Sequence, residues 1–444
     1  MFGACLGADI LVMLPLPLYS HTNTYMPIIK ELAARGHNVT MVTPFKSKDI
    51  VPNLKIIPVK NDLPDDIKGP AIMDISKMGV WMQLMGFWYY SLKVISNVLE
   101  EEPIQALIHD RGSHFDLVIT ETFFMQEALV AFGHKIFELS SGLYYYLPQQ
   151  ESIMRRYFNY TGSENLPPLL EQLKNTSITL VDSHFSMGYP RPYHSNIIEI
   201  GGLSVKNLED GEKDLQNFMD SADQGVIYFS LGSYLKSQDL DSITIGTLLT
   251  VFGKLKQRVL WKLDSENVLE LPSNVKIAQW FPQTSVLAHP KCLLFITHGG
   301  IHSIFEAAYN KIPVISLPVL ADQSYNAKFA EESGFGITLN INQVTEDRYK
   351  ENAVRLSMIT RDRPITVLKN TIYWIEYVIN HKGAKHLKPR TLQISFCRYL
   401  LLDVFVPILV IALIAIYIFI KFCNCCLKSC RSSRTNANKK MKTQ

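Results

Sequence analysis

The residues best suited to chemistry crowd between Trp280 and Gln323. His298-Gly299-Gly300 follows a short apolar run, Leu293–Thr297, which suits a buried parallel strand. Behind the glycines, Ile301, Ile304, Phe305 and Ala308 recur at helical spacing through Tyr309. Asn310 and Pro313 bracket a break, Pro313–Leu317 reads as a second buried strand, and Asp322-Gln323 lies beyond its carboxyl end. Strand, glycine turn, helix, strand and polar loop put polar side chains at the carboxyl ends of parallel strands, where open α/β sheets bind ligands.

The glycines after His298 let backbone approach a ligand closely. The helix beginning near Ile301 offers free N–H groups and a partial positive charge, which suit phosphate. Glu306 would repel phosphate but accepts two hydrogen bonds from a ribose diol. Trp280 offers a flat face to a base. Together these parts describe a site for a nucleotide sugar.

Trp280-x-x-Gln283, then His298-Gly-Gly-x-His302-Ser303-x-x-Glu306, then Asp322-Gln323 resembles the signature of the UDP-glycosyltransferases, and more narrowly the membrane-bound animal branch with the UDP-glucuronosyltransferases. The signature is long and its spacing constrained. One position departs: His302 stands where the family often has Asn, so its charge depends on pH. The resemblance implies a GT-B α/β fold, two Rossmann-like domains facing a cleft, plus one C-terminal transmembrane helix. It implies no cofactor, since the UDP-sugar is a co-substrate. It implies roles for Trp280 on uracil, Gln283 on the uracil edge, Glu306 on the ribose and Asp322 with Gln323 on the sugar. Ser233, His298, Gly300, His302 and Ser303 would hold the diphosphate, and no metal is implied.

The elements that must position these residues begin far upstream. Ile10–Leu14 reads as a first buried strand; Met1–Leu18 is apolar but lacks a basic n-region and a clear small-residue cleavage site, so the leader that family members carry is expected to be short or missing here. Ser20-His21-Thr22 follows, then a helix over Tyr25–Ala34 ended by Arg35-Gly36, with His37 as a capping residue, then a strand at Val39–Val42. This puts His21 in a loop at a carboxyl end, where a lone His is usually structural. In the resembled family a His here is the general base. Phe115–Glu121 reads as a strand ending in an acid, and the resemblance makes Glu121 the group that orients His21. Ile72–Glu102 is a long helical stretch rich in large residues, read first as core and, by resemblance, as part of an acceptor pocket.

Between Glu121 and the strand at Ile178–Val181 the chain is shorter than the family pattern. That raises a second reading: a catalytically weak form that binds UDP-sugar or pairs with full-length homologues. The expected layout is an acceptor-binding domain at 1–204, shortened around 139–168, a polar linker at 205–223 and a UDP-sugar domain at 224–380. A basic spacer at 381–398, a transmembrane helix at 399–421 and a basic tail at 422–444 follow.

The chain has 444 residues, 47% of them hydrophobic, which calls for two cores. Its net charge of +3 gives no footing for nucleic acid. Four of the seven cysteines, Cys423, Cys425, Cys426 and Cys430, crowd the tail. They suit S-acylation beside a membrane and equally suit free thiols. Val404–Ile420 is long enough to span a bilayer, and the basic residues after it place the tail in the cytosol. The final KKMKTQ resembles an endoplasmic-reticulum retrieval signal, so a single-pass protein of that membrane with a lumenal catalytic part is expected. Sequons at Asn159 and Asn175 suit loops, whereas the one at Asn38 abuts a strand. Expected partners are UDP-glucose or UDP-glucuronate, a small lipophilic acceptor, the membrane, and homo- or hetero-oligomers with family members.

Overall fold

A computed structural model describes residues 7–46, 50–60, 80–110, 114–121, 146–160, 162–205, 213–233, 242–263, 271–319, 322–338, 346–389, 394–399 and 401–441. Met1–Leu387 forms one compact body that carries two principal parallel sheets, and Lys388–Gln444 forms a second.

The first sheet contains β1 (Asp9–Met13), β2 (Asn38–Thr43), β3 (Leu54–Pro58) and β4 (Leu117–Thr120), in the order β3-β2-β1-β4. Every neighbouring pair is parallel. Ile10 and Val12 are sealed on one face with Ile28, Ile29 and Leu32 of α1 (Tyr19–Ala34). The chain runs outward from β1 to β3 and returns to β1's other side with β4. The carboxyl ends of β1 and β4 are therefore a switch point, where neither connection fills the crevice.

Helix α1 starts two turns earlier than its apolar spacing suggests. Its first turns carry Ser20, His21, Thr22 and Thr24, of which His21 meets Glu121 and Thr24 meets His302, so the apolar period starts only at Tyr25. His21 thus lies on a helix, not in a loop. His37 is not a cap. It is buried, and its Nδ1 accepts a hydrogen bond from Ala8 N at 3.2 Å. The helix closes instead with Gly36 at φ +91° and a bond from His37 N to Leu32 O, a Schellman arrangement. Of the helical stretch expected over 72–102, α2 (Val80–Glu100) is seen, and 72–79 lie outside the described residues.

A small pair, β5 (Thr179–Val181) and β6 (Ile197–Glu199), lies between the larger sheets in sequence. The stretch shortened relative to the family, 139–168, falls partly outside the described residues; Leu147–Tyr157 within it is helical. Part of 205–223, expected as a linker, is a helix at Lys213–Asp220. Its Leu215 and Met219, four residues apart, are buried in the second core.

The second sheet contains β7 (Val226–Ser230), β8 (Arg258–Lys262), β9 (Val275–Ala278), β10 (Cys292–Thr297), β11 (Val314–Ser316) and β12 (Gly336–Thr338). Its order is β12-β11-β10-β7-β8-β9, all parallel. All five residues of β7 are buried, as a central strand covered on both faces requires. Again the chain runs outward from β7 to β9 and then jumps back to β10. Helices α3 (Gln283–Ala288), α4 (Ile301–Tyr309), α5 (Gln323–Glu332) and α6 (Glu346–Arg361) follow in turn. Helix α7 (Val367–Asn380) returns to the first core, where Ile372 and Ile375 join Ile10 and Leu32 and Glu376 meets Arg35 at 3.2 Å.

In the second body, α8 (Leu402–Met441) contains an apolar stretch, Leu402–Asn424, long enough to cross a membrane.

Candidate active site

Each switch point delivers one set of functional groups. In the first sheet, Met13 stands opposite Thr120, so the residues that follow them emerge side by side. His21 Nδ1 and Glu121 Oε1 meet there at 2.6 Å, both largely buried. With the carboxylate accepting from Nδ1–H, the basic lone pair is on Nε2.

In the second sheet, Thr297 stands opposite Ser230, so His298-Gly299-Gly300 and Leu231-Gly232-Ser233 leave as neighbours. The His298 ring fills the space between the two turns. A Cβ on Gly232 would come within 2.7 Å of its Cε1, and one on Gly300 within 2.6 Å of its Nε2. Gly232 and Gly299 both take φ +84°. Burial, with Lys262 and His302 nearby, pushes His298 down to about 4, so it is a neutral donor at neutral pH. Gly300 is the N-cap of α4 and offers no side-chain cap, which leaves the first N–H groups of that helix facing the crevice.

The remaining residues expected here converge on the same crevice. Gln283 Nε2 donates to Glu306 Oε2 at 2.8 Å and to Ser303 Oγ at 3.3 Å, tying the start of α3 to α4. Ser303 and Glu306 are buried. Asp322 is exposed ahead of α5 and accepts from Asn326 Nδ2 at 2.6 Å, and that amide also reaches Gly299 O at 3.0 Å. Gln323 Oε1 accepts from Val319 N at 2.8 Å. Trp280 is 54% exposed, with Lys262 Nζ 5.0 Å from its ring centre and the Tyr19 ring edge-on at 5.4 Å. Ser233 is exposed on its turn.

Several site residues escaped the sequence reading. Lys262, the last residue of β8, donates to Gly232 O and lies over Trp280. Asp182, the first residue after β5, lies 2.7 Å from His302 Nε2. Thr24 of α1 sits 3.4 Å from the same nitrogen. All three belong to carboxyl ends of strands or to the helix turns just beyond, so the rule that located His298 applies to them too. The His21 and His302 rings stand edge-on, 6.2 Å between centroids, which joins the two switch points into one site.

Two Rossmann-like sheets meeting at their carboxyl ends are the GT-B arrangement. The family described as UDP-glucoronosyl and UDP-glucosyl transferase matches residues 167–437. UDP-glucosyltransferase 2 of Dactylopius coccus is 31% identical over 91% of this chain and 90% of its own length. A UDP-glucuronosyltransferase of Pleuronectes platessa is 30% identical over 79% of this chain and 86% of its own. Among solved structures, glycosyltransferase VinC in complex with DTDP superposes with a TM-score of 0.53 at 19% identity, covering 84% of this chain and all of that one. The chain belongs to the UDP-glycosyltransferase family of animals and is a glycosyltransferase.

Proposed function

We propose that the chain moves glucose or glucuronic acid from its UDP-sugar to a hydroxyl of a small lipophilic acceptor, with inversion at the anomeric carbon and without a metal. His21 Nε2 takes the acceptor's proton, while Glu121 orients the ring and stabilises the imidazolium that forms. The acceptor oxygen attacks the anomeric carbon in line, and the electron pair of the broken bond leaves on the β-phosphate. Its charge is met by the turn at Ser233, by His298, His302 and Ser303, and by the N–H groups behind Gly300. Trp280 stacks on uracil, Gln283 reads its edge, Glu306 holds the ribose, and Asp322 with Gln323 holds the sugar. The C-terminal helix anchors the enzyme in the endoplasmic reticulum membrane, with its basic tail in the cytosol.

The observation that carries this reading is the 2.6 Å contact between His21 and Glu121, with the His302 ring of α4 6.2 Å from the His21 ring. The test is UDP release from UDP-glucose and UDP-glucuronate with a panel of phenols and alcohols. Release that disappears in His21→Ala, while donor still binds, supports it. Release unaffected by that change sinks it.

A further inference from the structure

We propose that Asp182 is a positioning residue: it fixes His302 as a cation facing the leaving diphosphate, so that two carboxylate–imidazole pairs act from opposite walls of the site. This rests on the donor-site reading above.

The geometry has three parts. First, Asp182 is held in place by the small sheet. Gly201, just beyond β6, lies so close to α4 that an added Cβ would sit 2.5 Å from Ser183 O and 2.6 Å from Phe305 Cζ. Arg363 Nη2 clamps the same segment by donating to Gly201 O at 2.7 Å. The residues after β5 are thereby pressed on the first turns of α4. Second, Asp182 Oδ2 stands 2.7 Å from His302 Nε2, yet among the described residues neither Asp182 oxygen takes a well-aligned hydrogen bond, and both are closed to solvent. A buried carboxylate so placed needs a cation beside it, and the ring supplies one only when protonated. Third, the other pair, Glu121 with His21, faces this one at 6.2 Å with the rings 70° apart.

The neighbours on every side agree. Burial alone would lower the proton affinity of His302. Asp182 from beyond β5, Glu306 on α4 itself and Asp322 ahead of α5 reverse this, and the net shift is upward. His298, with Lys262 close to it, approaches from the turn after β10, and His298 is neutral. From α1 come His21 and Thr24. Thr24 donates its own hydroxyl proton to Ser20 O at 2.8 Å and so can only accept from His302.

In the transfer step the acceptor oxygen bonds to the anomeric carbon and its proton goes to His21. The bond from that carbon to the β-phosphate oxygen breaks, and its electron pair stays on the oxygen. His302 keeps its proton throughout and meets the new charge with its second N–H. Because its proton is held more tightly than usual, the cation persists above the ordinary imidazole range and is lost as pH rises through the raised value.

The test is equilibrium binding of UDP-glucose and UDP-glucuronate to the full chain between pH 6 and 9, with Asp182→Asn, Asp182→Glu, His302→Asn and the double variant D182N/H302N. Wild type should lose about tenfold in donor affinity on the alkaline side, the worth of one charge-assisted hydrogen bond. In Asp182→Asn that loss should move to lower pH, and Asp182→Glu should restore the wild-type profile. His302→Asn should be flat, and the double variant should match it. An Asp182→Asn profile like wild type, additive losses in the double variant, or a flat wild-type profile would each overturn the proposal and leave the donor site standing. Failure of wild type to bind either UDP-sugar at any pH would overturn the donor site and the proposal together.

Discussion

His21 and Glu121 are 100 residues apart in the chain and 2.6 Å apart in space. Parallel pairing of β1 with β4 brings them together, since Met13 and Thr120 share a register position at the carboxyl edge. Glu121→Gln keeps the length of the side chain and removes its charge. Turnover should fall about 10–100-fold, less than the roughly 10²–10⁴-fold worth of the general base itself because Glu121 acts through His21, with KM for the UDP-sugar unchanged. Steady-state rates with saturating acceptor check this. A matching rise in the donor's KM would mean that Glu121 serves binding instead.

Trp280 presents an exposed ring with Lys262 behind it and Tyr19 at its edge. Trp280→Ala should weaken UDP binding by about 1–3 kcal/mol, the range for a base stacked on an aromatic ring. Trp280→Phe should recover most of it. Calorimetry with UDP distinguishes the two, and equal losses in both variants would argue against stacking.

Gly232 combines a left-handed backbone with the His298 ring against its α-carbon. Gly232→Ala adds about 1–2 kcal/mol of backbone strain and pushes the ring out of its place. Lowered thermal stability should accompany a donor affinity reduced at least tenfold. Unchanged donor affinity would remove His298 from the diphosphate's surroundings.

His298 also sets an acid limit. Its proton affinity is depressed in the fold, to about 4, by burial and by Lys262 and His302. As pH falls below its ordinary value of about 6.5, the unfolded chain gains a proton that the folded chain refuses, so stability declines toward pH 4. His298→Asn should flatten the decline in Tm between pH 6.5 and 4.5 relative to wild type. An identical slope in both proteins would place the acid sensitivity elsewhere.

Much of this was legible in the sequence where local and tertiary signals agree. Ile301–Tyr309 runs over the span its apolar pattern predicts, because it buries a continuous stripe. The glycine turn after β10 announced itself through residues that no other backbone path needs. The misses have physical reasons too. The first turns of α1 bring His21 to Glu121 and Thr24 to His302, so they carry Ser, His and Thr and show no apolar period. The helix at Lys213–Asp220 buries only Leu215 and Met219 among charged neighbours, which hid it in a polar stretch. Asp182 could not be placed from sequence, because its partner His302 lies on another sheet's helix and only packing at Gly201 brings them together.

The most direct test uses membranes expressing the full chain, supplied with UDP-glucose or UDP-glucuronate and small phenols or alcohols, with UDP release followed in wild type and His21→Ala. The account predicts release with at least one donor in wild type, a fall of about 10²–10⁴-fold in His21→Ala, and unchanged donor binding in both. Equal release in both proteins, or donor binding with no release in wild type, would contradict it.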